Sequence, residues 1–180
     1  MEFYSTRGEG PVSGARAIVN GIAKDGGLYV PAEFPFIARE ELEDLVGLDY
    51  YERAAYIIHK YLDEFSYEEL KEYTEKAYSR FDEYPAPLTK VDEGTYIMEL
   101  WHGPTAACKD MALQIMPRLL SRALTKTGET RNTMILVATS GDTGKAALEG
   151  YRDMGRMRIL VFYPSEGVSI VQKLQMETQQ

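Results

Sequence analysis

Lys109 lies in the stretch ELWHGPTAACKDMALQ (99–114), after a Gly-Pro turn and two alanines and directly before Asp110. Residues 109–124 read as a helix, which places a cation at a helix N-terminus. Peptide dipoles there sum to roughly half a positive charge, and a cation loses about 0.3–1 kcal/mol. The same field, with partial desolvation, lowers a lysine's pKa and frees the neutral amine. A neutral amine is what imine formation with an aldehyde requires. Ala106 and Ala107 would let a flat ring approach the backbone. The plainer reading is a solvated lysine at a helix start, which is the commoner arrangement. By the same standard, His102 reads as a hydrogen-bonded structural histidine before it reads as a base.

A second candidate is TSGDTGKAALEG (139–150), where an apolar run ends, a Ser-Gly-Asp-Thr-Gly turn follows and a helix begins. Backbone N–H groups at such a start make an anion site. Ser140 and Thr143 add hydroxyl donors, and Gly141 and Gly144 allow close approach. The spacing excludes two familiar phosphate loops: only Asp142 and Thr143 separate the glycines, Ala146 follows Lys145, and no G-x-G-x-x-G is present. An anion cradle of another kind and a tight strand-to-helix turn both remain open on spacing alone.

The elements that must position these residues fall into two parts, divided at the proline-bearing linker EYPAPL (83–88). Residues 1–87 are acidic, rich in tyrosine and mostly helical. Ser13 starts a helix with Ala15, Ile18, Val19 and Ile22 on one face, the spacing of a buried stripe. DGGLYVP (25–31) turns into a short strand stopped by Pro31. Asp49 opens a helix with the stripe Tyr51, Ala54, Ala55, Ile58, Tyr61 and Leu62. Ser66 and Glu69 form a capping box ahead of Leu70, Tyr73, Ala77 and Phe81. The tyrosines in these stripes read as packing, not as a ligand cage. After the linker, TYIMELW (95–101), TMILVAT (133–139) and RILVFY (158–163) read as strands, and 143–154 as a helix. Strands alternating with helices imply a parallel sheet of about three strands, with helices on both faces. In such sheets ligands gather beyond the carboxyl ends of strands, where both candidates lie. A last helix starts at Ser165 or Ser169, with Val168, Val171, Leu174 and Met176 as its stripe.

The chain has 180 residues, a formal charge of -8 and 44% apolar residues. That is globular composition, with no excess of cations to neutralise a nucleic acid. Cys108 is the only cysteine, which excludes an internal disulfide, makes a zinc cluster a poor fit and suits a reducing compartment. The N-terminus lacks signal-peptide design, and no apolar run reaches the ~18 residues of a membrane span. A cytoplasmic location is the expectation, with no metal, nucleic acid or membrane partner.

ELWHGPTAACKDMALQ followed by ATSGDTGKAAL closely resembles the threonine synthase family, pyridoxal-phosphate enzymes of the tryptophan synthase β-subunit-like fold. FYSTRG and DGGLYVP match the family's opening, and YPSEGVSIVQKLQM (163–176) matches the segment after its second strand–helix unit, in the family's order. The resemblance implies an α/β fold with a three-layer parallel sheet (fold type II). An α-rich N-terminal domain would span 1–87, and 88–180 would be the first part of the cofactor domain. It implies a carbon–oxygen lyase acting on phosphates, which converts O-phosphohomoserine and water to threonine and phosphate with pyridoxal 5'-phosphate. Lys109 matches the lysine that bonds to the cofactor and then moves protons at Cα and Cβ. Ser140, Gly141, Asp142, Thr143 and Gly144 match the turn that receives the substrate carboxylate, with Asp142 also beside the cofactor ring's hydroxyl. Arg7 reads either as a phosphate contact or as a structural surface residue.

Cys108 stands where the family pattern leads us to expect a bulky aromatic residue. Pro117 falls inside the helix after Lys109, where a proline costs about 3 kcal/mol unless the helix kinks. The family's cup for the cofactor phosphate and the partner of its pyridine nitrogen are expected past Gln180. The chain therefore reads as the front portion of a longer enzyme, inactive by itself and completed by the C-terminal part, with monomer and homodimer both open. Two alternatives stand beside this reading: a related phospho-lyase acting on another phosphorylated amino acid, and a non-catalytic assembly module that keeps the motifs as scaffold.

Overall fold

The computed structural model describes residues 1–82 and 84–179. Glu83, at the start of the expected linker, and Gln180, the last residue, lie outside them. Two compact units form: Met1–Glu75 with Leu119–Thr130, and Lys76–Arg118 with Arg131–Gln180.

The first unit opens in extended backbone. β1 (Glu2–Ser5) pairs antiparallel with β2 (Val12–Ser13). Ser13 then starts α1 (Gly14–Asn20), its Oγ accepting from the Arg16 N–H at 3.2 Å. β3 (Tyr29–Pro31) completes a three-stranded sheet ordered β2-β1-β3. Its approach is tied by Asp25, whose carboxylate accepts from Ser5 Oγ (2.6 Å) and the Gly27 N–H (2.9 Å). This sheet was not expected; strands of two to four residues are too short to set up an alternating pattern. The α1 stripe also differs. Gly14, Ala15 and Ala17 are the buried residues, whereas Gly21 ends the helix and leaves Ile22 outside it and exposed.

Three helices follow: α2 (Arg39–Leu45), α3 (Tyr50–Tyr61) and α4 (Tyr67–Tyr78). Glu52 reaches back to the Asp49 N–H at 3.1 Å, and Glu69 and Ser66 exchange hydrogen bonds as a capping box should. The α3 and α4 stripes bury Ala55, Leu62 and Leu70 in this unit. Thr74 is buried among them because its hydroxyl donates to the Tyr51 carbonyl at 2.8 Å, a polar solution that a hydrophobic pattern cannot reveal. Arg122 pairs with Glu69 at 2.6 Å, and the Lys126 ammonium lies 5.3 Å from the centre of the Phe65 ring.

The second unit carries the candidate residues. β4 (Leu88–Asp92) and β5 (Thr95–Met98) form an antiparallel hairpin turned at Gly94. TYIMELW therefore does not join a parallel sheet. The expected helix over 109–124 is two helices, α5 (Asp110–Leu113) and α6 (Met116–Lys126). The break falls ahead of Pro117, which lands in the first turn of α6, where a missing N–H leaves no hydrogen bond unmade. β6 (Thr133–Ala138), α7 (Asp142–Tyr151) and β7 (Met157–Phe162) follow, and the strands pair in parallel from Thr133↔Met157 to Ala138↔Phe162. α7 is shorter than 143–154 because the chain turns through Asp153 and Gly155, both at positive φ. The parallel sheet thus has two strands among the described residues. α7 packs on one face, while Met134, Leu136, Leu160 and Phe162 stand exposed on the other. α8 (Ile170–Glu177) begins at Ser169, not Ser165; it buries Met176 and leaves Val171 and Leu174 exposed.

α5 and α7 approach closely at Gly150. A Cβ there would meet the Leu113 carbonyl oxygen at 2.0 Å, and that carbonyl is the one a residue other than proline at 117 would bond. Gly150→Ala is expected to destabilise the protein by about 1–3 kcal/mol in urea unfolding, since backbone must move to admit the methyl. A second prediction concerns acid. Lys60, then Tyr56 and the Ala38 N–H, donate to Glu41 and hold its carboxyl down to about 2 from an ordinary 4.5. A depressed carboxyl contributes stability above its unfolded pKa and loses it as pH falls. Stability should therefore drop between pH 4.5 and 2 in part through this group, and Glu41→Gln should flatten that part of the denaturation-versus-pH curve.

Candidate functional site

The bend before α5 is built on one buried carboxylate. Asp110 is 0% exposed and accepts from the Thr105 N–H (2.9 Å), the Thr105 hydroxyl (2.9 Å), the Gln114 amide (3.1 Å) and, more weakly, the Ala107 N–H (3.4 Å). Gly103 is needed beside it, because a Cβ there would sit 2.5 Å from the Cβ of Asp110. Ala106 takes a left-handed φ of 54°, unusual for an L side chain. Ala107 is buried and Ala106 faces outward, so only one of the two alanines leaves open backbone. Sequence reasoning saw Asp110 merely as a favourable charge at a helix start; Thr105 five residues earlier, behind a Gly-Pro turn, was the available signal.

Lys109 occupies the N-cap of α5 and is exposed, its Nζ 3.7 Å from Cys108 Sγ. The described residues do not supply the desolvation expected from sequence. His102 is structural: its Nε2 lies 2.7 Å from Glu99 Oε2, its Nδ1 3.7 Å from Asp82 Oδ2, and its ring stacks on Trp101.

The second motif follows the end of β6. Thr139 Oγ1 accepts from the N–H groups of Gly141 and Gly144, both at 3.0 Å, so two donors of the expected anion cradle are already engaged in shaping the turn. Gly141 has a φ of 146°, which favours glycine. Gly144 is required by space, since a Cβ would come 2.4 Å from Thr139 Cγ2 and 3.0 Å from Val161 Cγ1. Ser140 and Asp142 are exposed, and Thr143 is half-buried. The Asp142 carboxyl lies below the usual range. Hydrogen bonding by Gln172 is the chief cause and Lys145 adds to it; the Lys109 charge contributes further. Arg7 belongs to the other unit, where it donates to the Asp25 carbonyl at 3.2 Å. A hollow of about 330 Å³ lined by Thr105, Lys145, Glu149 and Gln175 includes neither Lys109 nor Ser140.

Gln114 donates to Asp110 and also to the Ala146 carbonyl of α7 at 3.4 Å, so the bend and the helix behind the turn share one amide. Removing the carboxylate strands several buried donors at about 1–3 kcal/mol each. Asp110→Ala should therefore cost about 3 kcal/mol or more in denaturant unfolding and open the 103–109 bend to proteolysis, whereas Lys109→Ala should leave stability within about 0.5 kcal/mol.

The family described as "Threonine synthase N terminus" matches residues 2–78. Threonine synthase of Pseudomonas aeruginosa is 40% identical over 181 residues, covering 99% of this chain and 38% of its own length. The human protein named threonine synthase-like 1 is 39% identical over 171 residues, covering 89% of this chain and 23% of its own. The solved structure of pyridoxal-phosphate-bound threonine synthase from Brucella melitensis superposes with a TM-score of 0.90 at 35% identity, over 98% of this chain and 38% of that one. The α/β fold is therefore shared with these enzymes. The chain spans well under half the length of the relatives it matches. Residues 2–78 thus match the N-terminal region of threonine synthases, and nearly the whole chain is similar to members of that family in sequence and in backbone.

Proposed function

We propose that the enzyme carrying this chain is a pyridoxal-phosphate-dependent threonine synthase, a cytoplasmic lyase that converts O-phosphohomoserine and water to threonine and phosphate. The reading is supported by an exposed amine, Lys109, after the 103–108 bend, and by a turn at 140–144 whose Asp142 carboxyl lies below the usual range, chiefly through Gln172 and with a contribution from the Lys109 charge. An exposed amine suits an aldehyde, and an ordered carboxylate can accept a hydrogen bond from a ring hydroxyl. When bound, the cofactor supplies an electron sink that acidifies the substrate's Cα–H.

The chain's own residues then have separable tasks. Lys109 would hold the cofactor, and its amine would move protons at the substrate's Cα and Cβ. The turn Ser140-Gly141-Asp142-Thr143-Gly144 receives the substrate carboxylate through the Ser140 and Thr143 hydroxyls and the backbone N–H groups that Thr139 does not already engage. Asp142, whose carboxyl Gln172 and Lys145 hold below the usual range, would lie beside the cofactor ring's hydroxyl. Exclusion of water and grip on the cofactor phosphate belong to the remainder of the enzyme. In this reading 1–87 is the family's N-terminal domain, supported by a family match within 2–78, and 88–180 begins a three-layer cofactor domain of fold type II.

A second reading, a phospho-lyase acting on a related phosphorylated amino acid, is favoured by the likeness to human threonine synthase-like 1. Product analysis by NMR separates the two: threonine supports the first, and an eliminated keto acid the second. The site is tested by borohydride reduction of the full-length protein with pyridoxal phosphate, followed by peptide mapping. The label is expected on Lys109, with Lys109→Ala losing at least about 10³-fold in kcat. A label on another lysine would overturn the assignment.

A further inference from the structure

We propose that Gln172 of α8 is a positioning residue for Asp142, orienting its carboxylate toward the cofactor side of the turn; this rests on the reading above, in which Asp142 faces the bound ring. Three observations converge on it. Gln172 Nε2 donates to Asp142 Oδ1 at 2.7 Å. Gln172 Oε1 accepts from the Ser169 N–H at 3.3 Å, and the Gln172 N–H returns a bond to Ser169 Oγ at 3.2 Å. The amide also lies against Gly141, where an added Cβ would meet its Oε1 at 2.5 Å and its Nε2 at 2.9 Å.

These contacts define the amide's direction without ambiguity. A backbone N–H can only donate and a carboxylate can only accept, so oxygen must face Ser169 and nitrogen must face Asp142. The capping box of α8 thereby becomes a bracket: one end of the amide anchors the helix start, and the other holds a carboxylate on the turn after β6. Lys145 Nζ, 93% of whose residue surface is buried, approaches the same oxygen, Oδ1, at 3.3 Å. Two donors on Oδ1 make Oδ2 the oxygen offered outward. Gly141 serves this arrangement as well as the turn, since any side chain at 141 would push the amide away.

Glutamate at 172 separates the bracket's two functions. It is the usual third-position partner in a capping box, so α8 keeps its start, but it sets a carboxylate against Asp142 where a donor stood. In the full-length enzyme, Gln172→Glu is expected to do two things. In the cofactor-free protein, the Asp142 carboxyl followed by carbon NMR should titrate at higher pH than in wild type. In the loaded enzyme, kcat should fall about 10–100-fold at saturating substrate, as when a supporting hydrogen bond to a reacting group is lost. The charged groups that act on the Asp142 carboxyl are Lys145 and, by its charge, Lys109. Gln172→Met, which deletes both side-chain bonds without adding charge, is read by the same two measurements and decides the matter if the glutamate variant does not fold. An unchanged Asp142 titration or an unchanged kcat in a folded variant overturns the proposal. Should borohydride label a lysine other than Lys109, the functional reading fails, while the cofactor-free titration still decides whether Gln172 holds Asp142.

Discussion

A buried carboxylate is unstable company for a hydrophobic interior unless its lone pairs are occupied; the effective penalty of burying an unpaired ion is several kcal/mol. Asp110 meets that condition with four donors supplied by three residues, Thr105, Ala107 and Gln114. Each donor also constrains the backbone. The Thr105 and Ala107 amides curl the chain around the carboxylate, and the left-handed Ala106 lies between them. Left-handed backbone costs an L residue about 1–2 kcal/mol, which local hydrogen bonds of this kind can offset. Lys109 is directed outward as a consequence, because the residue after it must point in.

The same economy of space governs the helices behind the bend. Pro117 ends what would otherwise run on from 109 as one helix and frees the Leu113 carbonyl. α7 approaches that carbonyl through Gly150, and the Gln114 amide reaches across to α7 a few residues earlier. Gly144 repeats the device at the other end of α7, allowing Thr139, Val161 and Met176 to close in. Two glycines, each unfavourable in a helix by propensity, and one proline in a first turn that tolerates it are the positions through which α5, α7 and the strand ends come together.

Much of this was legible beforehand because the signals were local. Ser13, Asp49, Ser66 and Ser169 announced helix starts through side chain–backbone bonds that span three residues. β6 and β7 announced themselves as apolar runs between turn residues. The two candidate motifs were found by residue type and position. What escaped depends on partners distant in sequence. The short antiparallel sheet needs Phe3 to meet Val12 and Pro31, and no stretch of that length shows a period. β5 read as one more strand of a parallel sheet, but its partner is β4 across a Gly94 turn. Thr74 and Asp110 are polar residues in the interior, visible only when their acceptors and donors are known. Gln172 was noted merely as part of a familiar segment, because its role depends on Asp142, thirty residues earlier in the chain.

The tie that shapes the bend belongs to residue 110, not to residue 109. The lysine is therefore cargo mounted on a finished bracket: its four-carbon tether can be shortened, lengthened or replaced by an analogue without unpicking the knot beneath it. The side chain at 109 and the bend that carries it sit one peptide bond apart and answer to different atoms, so the residue at 109 could be varied over the life of the fold while its mount stayed the same.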